Sequence, residues 1–541
     1  MTPPAGRSKV ATKFGIVAAS QPLAAQAGVQ ILARGGHAVD AAVAANAVLG
    51  VVEPEMNGIG GDLFAIVSPA ANATLHGLNA SGWAPSAASA ARLSAAGYRE
   101  MPLEGVHSIT VPGAVAGWAA LHSRFGRLTL AQDLAPAIFY AEHGFPVSDI
   151  IAERWNAYAA KLAAEPAAAA AYLPGGRAPQ SGELFRNRDL AQSLRLIASR
   201  GREGFYEGPT ADAILAAIRE HGGAMTATDL HAYDAEWVTP IATSYRDWDV
   251  FELPPNTQGV AALAMLNLME QFPLGEYPLH GADAMHIMIE AKKLAYADML
   301  RYVADPRFAE APIPAMLDKA YARERTRLIR RERCATRIEP AVFDGVTNRS
   351  GGDTIYLSAI DRDGNIVSLI QSIYHGFGSG IVPRGTGFAL HNRGALFTLD
   401  ERHPNALAPR KRPLHTLIPG FMRKGATRIG FGIMGGWNQA QAHAQFVANV
   451  VDYGLDIQQA LEAGRFTKLT FDGADVFVET LVPAETRRAL SELGHDVIEV
   501  PPRTGTFGSG QAVMSVASGV HFGASEPRHD GAAIPEGAPV I

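Results

Sequence analysis

A threonine that follows two glycines and an aspartate is the first candidate for chemistry in this sequence. The stretch reads GGDTIYLSAID, and its strand-like part begins at Asp353 and Thr354. A threonine hydroxyl inside a chain is a poor nucleophile, but an N-terminal threonine has its own α-amino group as the adjacent base. In a chain that starts at Met1, cleavage between Asp353 and Thr354 would create such a residue. Thr354 can make the cut by attacking the preceding carbonyl, and the flexible Gly351 and Gly352 would let that peptide bend. From these residues alone, a simple turn before a strand is the alternative.

Several common catalytic and binding motifs are absent from the sequence. No serine has glycine two residues before and two residues after it, and there is no HExxH motif or P-loop. The glycine-rich GIGGD and GFGSG lack the strand–helix pattern of a nucleotide site. The 17 histidines form no obvious ligand cluster, and the single cysteine, Cys334, allows neither an intrachain disulfide nor a CxxC site. We therefore expect no cofactor and no metal.

Composition indicates a globular protein. The 541 residues are 48% hydrophobic and 18% charged, and the formal net charge is −6 with acids and bases interspersed. This charge distribution does not favour a nucleic-acid surface. The N-terminus lacks an apolar run of signal-peptide length, and no stretch of about 18 residues is apolar enough to span a membrane. We expect a cytoplasmic protein without a nucleic-acid or membrane partner.

Helices dominate the first half of the sequence, and strands dominate the part after Thr354. Ser20 is expected to cap a helix that ends near Gly35, and further helices are expected near residues 39–52 and 285–303. Two strands, TIYLSAID and NIVSLIQSIY, are joined by a hairpin signal at Asp363–Gly364. Other strands are expected in HSITVP, TGFALHN, TRIGFGIM, DVFVET and QAVMSVASG, and a long helix in QAQAHAQFVANVVDYG. This order indicates layers of sheet and helix.

Motifs along almost the whole chain resemble the γ-glutamyltranspeptidase family. In the family's order and spacing the chain carries LAAQAGVQILARGGHAVDAAVAANAVLG, HSITVPGAVAGW, ELPPNTQGVAAL, GGDTIYLSAIDRDGNIVS, FGSGIVPRGTG, APRKRPLHTLIPG, FGIMGGWNQ and GASEPRHDG. The likeness spans roughly residues 13–533. It implies an α+β fold, the four-layer αββα sandwich of N-terminal-nucleophile hydrolases, with helical regions in the N-terminal subunit. It also implies autocleavage into a large subunit, residues 1–353, and a small catalytic subunit, residues 354–541, which together form one intertwined domain.

The resemblance assigns roles to a small set of residues. Thr354 matches the family nucleophile, with cleavage after Asp353. Ser372 stands where the family has a hydroxyl that hydrogen-bonds the nucleophile. Gly435 and Gly436 match a glycine pair whose backbone N–H groups form the oxyanion hole, and glycine suits a backbone that approaches the substrate closely.

The sequence departs from the family at the positions that grip the α-amino and α-carboxylate groups of glutamate. Ser81 replaces an expected arginine, Leu396 replaces an aspartate, His415 and Thr416 replace paired serines, and Tyr374 replaces an asparagine. Each lost charge-assisted contact is worth roughly 1.5–3 kcal/mol, so ordinary γ-glutamyl recognition should be badly weakened.

This pattern resembles the family's divergent branch of glutaryl and cephalosporin acylases and small-amide hydrolases such as oxamate amidohydrolase. Arg393, in HNRG, is the candidate to hold a carboxylate, with His391, His415 and Tyr374 as further substrate-binding candidates beside Ser81 and Thr416. The expected activity is hydrolysis of a small-molecule amide with a carboxylate-bearing, non-glutamyl acyl group, and water or an amine accepts the acyl group.

Two other functions stay open at this point. The first is true γ-glutamyl transfer or glutathione hydrolysis, and the second is an uncleaved homologue that only binds. A denaturing gel separates the second from the enzyme hypotheses, because cleavage near residue 353 gives two bands. The expected assembly is a heterodimer of the two cleaved subunits, and a dimer of these heterodimers is a further alternative.

Overall fold

Two seven-stranded antiparallel sheets lie at the centre of the molecule. The computed structural model describes residues 6–72, 74–340, 353–502 and 504–538. The strands are β1 (Val10–Thr12), β2 (Ile16–Ala19), β3 (Asp62–Ser68), β4 (His76–Ala80), β5 (Phe145–Pro146), β6 (Leu184–Phe185), β7 (Glu236–Val238), β8 (Ile241–Tyr245), β9 (Trp248–Glu252), β10 (Asp353–Ile360), β11 (Ile366–Tyr374), β12 (Gly420–Lys424), β13 (Thr427–Ile433), β14 (Phe466–Thr467), β15 (Asp475–Glu479), β16 (Asp496–Val500), β17 (Gly510–Ser515), β18 (His521–Ser525) and β19 (Ala532–Pro535).

Helices cover the sheets and fill the connections between them. They are α1 (Pro22–Ala33), α2 (Ala38–Val52), α3 (Ala90–Ala95), α4 (Ala114–Phe125), α5 (Leu130–His143), α6 (Asp149–Ala157), α7 (Ala159–Ala163), α8 (Pro166–Tyr172), α9 (Arg188–Arg200), α10 (Glu203–Tyr206), α11 (Gly208–Glu220), α12 (Ala227–His231), α13 (Gly259–Met269), α14 (Ala282–Tyr302), α15 (Ile313–Met316), α16 (Lys319–Arg325), α17 (Asn438–Val451), α18 (Ile457–Glu462) and α19 (Ala484–Glu492). In the described part of the chain, no helix is both long enough and apolar enough to cross a bilayer.

The strand order mixes the two halves of the sequence within each sheet. The first sheet runs β1-β18-β17-β13-β12-β9-β8, and the second runs β19-β2-β10-β11-β3-β4-β7. The predicted hairpin of β10 and β11 is confirmed, and it lies between β2 and β3. Thr354 therefore lies on β10, an interior strand of the second sheet that pairs with β2 on one side and β11 on the other.

Successive side chains of β10 point to opposite faces of the second sheet and so show which layers pack on each face. Ile355 and Leu357 belong to the core between the second sheet and its covering helices, whereas Tyr356 and Ile360 belong to the core between the two sheets. Such alternation is what a strand buried on both faces produces. The first sheet is covered on its outer face by α13, α17 and α18, and α14 packs against α13. The fold is thus a four-layer αββα arrangement, as expected.

Some local predictions were wrong. Gln21 caps α1, because the Ser20 hydroxyl donates instead to Glu53, 2.8 Å away. Residues 107–112 form no strand and pass from a 3₁₀ turn, Val106–Ser108, into irregular chain. Residues 386–392 are also irregular, although mostly buried. In both segments the alternating pattern reflects burial and not pairing in a sheet.

Candidate active site

Thr354 lies at an irregularity of the β10–β11 ladder. Asp353 pairs with Tyr374 and Ile355 pairs with Gln371, so two β11 residues stand opposite Thr354, and one of them is Ser372. A bulge of this kind changes the direction of a side chain and is common beside active sites. The Thr354 side chain is buried. Gly351 and Gly352, on the other side of the predicted cut, lie outside the described residues.

Gln439 is the polar neighbour of the Thr354 hydroxyl. Its Nε2 lies 3.5 Å from Thr354 Oγ1, which is the long limit of a hydrogen bond. Its Oε1 accepts the backbone N–H of Ile418 at 3.1 Å, and this bond fixes which end of the amide faces the threonine. Gln439 is buried in the first turn of α17, so helix packing determines its position.

Ser372 is held by its own strand. Its Oγ accepts the backbone N–H of Tyr374 at 2.7 Å. Tyr374 has φ 79°, a left-handed conformation that a tyrosine rarely adopts. Strain of this kind persists only where surrounding contacts impose it, and it is concentrated at functional sites. The backbone therefore turns sharply at Tyr374, the last residue of β11, which is the pairing partner of Asp353.

Gly435 and Gly436 form the turn between β13 and α17. Their φ values are 117° and 60°, which favour glycine. The carbonyl of Gly435 accepts the N–H of Asn438, and the carbonyl of Gly436 accepts both the N–H of Gln439 and, at 2.9 Å, Nε2 of Gln258. Neither glycine N–H donates to another residue in the part of the chain that the structure describes. Two free N–H groups at a helix N-terminus suit a developing oxyanion.

Arg393 is a fully buried cation with unused donors. Its Nη1 donates to Oγ1 of Thr416 at 2.7 Å, and its guanidinium carbon lies 4.4 Å from the centre of the Tyr374 ring. Nε and Nη2 have no hydrogen-bond partner among the described residues. Burial lowers the pKa of Arg393 to about 10, so the guanidinium stays charged at neutral pH. A buried cation with two unpaired N–H groups is costly without a ligand.

Asp62, at the start of β3, joins the two candidate histidines. Its Oδ1 accepts the N–H groups of Gly82 and Gly113, and its Oδ2 lies 3.1 Å from Nε2 of His415 and 3.5 Å from Nδ1 of His391. Although burial would raise the pKa of Asp62, the two histidines hold it below its ordinary value. Asp62 is therefore a buried carboxylate next to the Arg393 cation.

The other predicted binding residues are distributed around this centre. Thr416 contacts Arg393 through its hydroxyl, and its carbonyl accepts Nε2 of Gln258, the side chain that also reaches Gly436. The Ser81 hydroxyl donates to Asn79 Oδ1 at 2.7 Å. Leu396 packs at the edge of the apolar core under the first sheet. The substrate-binding roles of these residues stay predictions.

Among the described residues, two groups of histidine and acidic side chains could share a cation, and all of these residues are buried except the half-buried His122. They are His286, Glu290 and His495, and Asp40, His122 and Asp133. Neither group contains a residue of the candidate site.

The sequence did not single out Asp62, Gln439 or Gln258. Asp62 ends the GIGGD motif, and that motif was considered only as a weak phosphate loop. Gln439 follows the glycine pair by three residues, so it shares the first turn of the helix that the pair precedes. This spacing was the available signal for Gln439. Gln258 had no comparable signal.

Comparisons with known proteins show the family of the chain. The Gamma-glutamyltranspeptidase family matches residues 24–536. The chain is 37% identical to the Glutathione hydrolase-like YwrD proenzyme of Bacillus subtilis, covering 98% of this chain and 99% of that protein. It is 35% identical to the Oxamate amidohydrolase proenzyme of Klebsiella pneumoniae, covering 97% and 99%. The crystal structure of cephalosporin acylase from Bacillus halodurans superposes with a TM-score of 0.91 at 43% identity, covering 99% and 98%. The chain belongs to the gamma-glutamyltranspeptidase family of N-terminal-nucleophile hydrolases.

Proposed function

We propose that this enzyme cleaves its own chain before Thr354 and then hydrolyses amides whose acyl group carries a carboxylate. In the cleaved form the α-amino group of Thr354 takes the proton of its hydroxyl as Oγ1 attacks the amide carbonyl. The N–H groups of Gly435 and Gly436 stabilise the oxyanion. The amine leaves with the transferred proton, and water, or an amine acceptor, then releases the acyl group from Thr354.

The free donors of Arg393 are the observation that carries the substrate assignment. Nε–H and Nη2–H lie on one edge of a guanidinium and match the two oxygens of a carboxylate. The Tyr374 ring and the Thr416 hydroxyl already hold the other parts of the group. A substrate carboxylate would therefore satisfy the two donors that have no partner among the described residues.

The site offers little to the ammonium of a γ-glutamyl group. Leu396 supplies no charge, and the nearby carboxylate of Asp62 already accepts hydrogen bonds from Gly82, Gly113 and His415. A buried ammonium without an acceptor is strongly disfavoured. Relatives named for oxamate and cephalosporin acyl groups are consistent with a non-glutamyl substrate, whereas the relative named glutathione hydrolase-like keeps γ-glutamyl transfer as the second candidate.

The test compares glutaryl, γ-glutamyl and valeryl anilides, which share an acyl chain length and differ in charged groups. We expect the wild type to have the highest kcat/KM for the glutaryl anilide. Arg393→Met, which approximately preserves side-chain volume, should raise KM for glutaryl anilide by about 10- to 150-fold, the equivalent of roughly 1.5–3 kcal/mol.

The valeryl anilide is the matched control, because it lacks the carboxylate and should change little in the variant. A γ-glutamyl preference in the wild type, or an unchanged glutaryl KM in Arg393→Met, would contradict the proposal. Two bands on a denaturing gel confirm in each case that the variant has matured.

A further inference from the structure

The two ring nitrogens of His391 face different acceptors. Nε2 lies 2.9 Å from the backbone carbonyl of Thr110, which can only accept, so Nε2 carries a hydrogen. Nδ1 lies 3.5 Å from Oδ2 of Asp62 and has no hydrogen-bond partner in the described ranges. In the neutral ring, the Nδ1 lone pair therefore faces a carboxylate. A proton on Nδ1 would turn this unfavourable contact into an ion pair.

His415 is next to the same carboxylate but is already satisfied. Its Nδ1 accepts the backbone N–H of Leu417 at 3.2 Å, and its Nε2–H donates to Oδ2 of Asp62 at 3.1 Å. Burial and the Arg393 charge lower the pKa of His415 to about 3. A further proton would have to displace the Leu417 bond, so His391 is the better acceptor.

Without a ligand, the charges of Arg393, Asp62 and the two histidines sum to zero. Arg393 and Asp62 carry opposite charges, and the two histidines are neutral. Burial lowers the pKa of His391, and the Arg393 charge lowers it further, while Asp62 acts in the opposite direction. A carboxylate bound to Arg393 would cancel the arginine's effect and leave the group with a net negative charge. One added proton would restore neutrality.

We propose that His391 takes up a proton at Nδ1 when a carboxylate binds Arg393, so that anionic substrates bind together with a proton. The proton comes from the buffer, one N–H bond forms, no covalent bond of the protein breaks, and the proton leaves with the acid product. His391 acts through Asp62 and Arg393 and is a positioning residue. This inference rests on the carboxylate recognition proposed above. The charged or titratable groups facing His391 are Asp62 from β3, Arg393 and His415.

The experiment is titration calorimetry with glutarate at about pH 7.5, where this dicarboxylate is fully ionised. Binding enthalpies measured in buffers of low and high ionisation enthalpy, such as phosphate and Tris, give the number of protons taken up. We expect between about 0.5 and 1 proton per glutarate for the wild type. His391→Gln keeps a donor to the Thr110 carbonyl and should bind glutarate with an uptake near zero.

His415→Gln is the matched control, because its amide can still donate to Asp62, and it should retain the uptake. KM for glutaryl anilide should rise with pH in the wild type and stay constant with pH in His391→Gln. If His391 had only a packing role, its replacement would instead lower activity at every pH. Zero uptake in the wild type, with glutarate still bound, overturns this inference and leaves carboxylate recognition standing. Absence of glutarate binding overturns carboxylate recognition, and this inference with it.

Discussion

At the scale of single residues, the conformations of Gly435 and Gly436 determine where their N–H groups point. Both have positive φ, and their carbonyls are committed to α17 and to Gln258. The peptide planes are thereby fixed, and neither N–H group has an acceptor among the described residues. Under the proposed mechanism, these N–H groups donate to the oxyanion of the substrate.

Gly436→Val should reduce kcat by about 10²- to 10³-fold, because a β-branched residue cannot easily hold φ 60° and the N–H would turn away from the oxyanion. Gly454→Val is the control, since Gly454 has φ 65° with open space around it, so this variant bears similar backbone strain outside the site. Turnover of glutaryl anilide and the thermal midpoint of both variants are measured. Normal kinetics in Gly436→Val would exclude this oxyanion hole.

Thr354 and Gly435–Gly436 were predicted as site residues through the resemblance of many motifs to the family, because GGDT and MGG taken alone are also typical of turns. Their roles stay predictions. Asp62 was not predicted as a site residue, because its function depends on His391 and on His415, which is 353 residues away in the chain. Arg393 was predicted to bind an anion, but its burial and its two free donors follow from packing that no local pattern reveals.

At the scale of elements, α2 and α5 meet at two buried carboxyl groups. Asp40 lies in the first turn of α2 and accepts the N–H groups of His37 and Arg127. Asp133 of α5 lies close to it, and as a carboxylate Asp133 has no donor within the described structure. Burial, followed by the charge of Asp40, raises the pKa of Asp133 to about 8. Protonated Asp133 can donate to Asp40.

The Asp40–Asp133 pair predicts that the free energy of unfolding falls as pH rises. The folded protein binds the Asp133 proton up to about pH 8, whereas the unfolded chain releases it near pH 4, so stability decreases through that window. Asp133→Asn removes the ionisation, so its stability relative to the wild type should rise by about 1.4 kcal/mol for each pH unit between pH 5 and pH 8. Thermal midpoints across pH 5–9 test this. Asp212→Asn, on the exposed side of α11, is the control, and a difference independent of pH would contradict the argument.

The elements themselves were predicted best where periodicity and turn signals coincide. The β10–β11 hairpin was predicted from alternation around Asp363–Gly364, and α14 from a long amphipathic pattern. Residues 386–392 were wrongly expected to form a strand, because alternation records which side chains are buried and says nothing about hydrogen bonding to a neighbour. Their backbone instead bonds to scattered partners such as Ile381 and Gly60.

At the scale of the whole molecule, the predicted cut separates strands that remain neighbours. In the second sheet, β19, β10 and β11 of the predicted small subunit are interleaved with β2 and β3 of the predicted large subunit. In the first sheet, β18 pairs with β1 and β12 pairs with β9 across the same division. Sequence motifs could give the family's fold by resemblance, but this interleaving depends on pairings between residues hundreds of positions apart.

The two subunits should therefore stay together after cleavage as one cooperative unit. We expect wild-type protein to give two bands split near residue 353 on a denaturing gel, yet a single peak containing both pieces on native size-exclusion chromatography. Thr354→Ala should give one full-length band and the same native peak, because it loses the attacking hydroxyl while its core is unchanged. Thermal unfolding of the cleaved protein should be a single transition, since neither piece has a complete seven-stranded sheet by itself. Separation of the pieces without denaturant would contradict the intertwined arrangement, and cleavage at the same bond in Thr354→Ala would show that Thr354 does not make the cut.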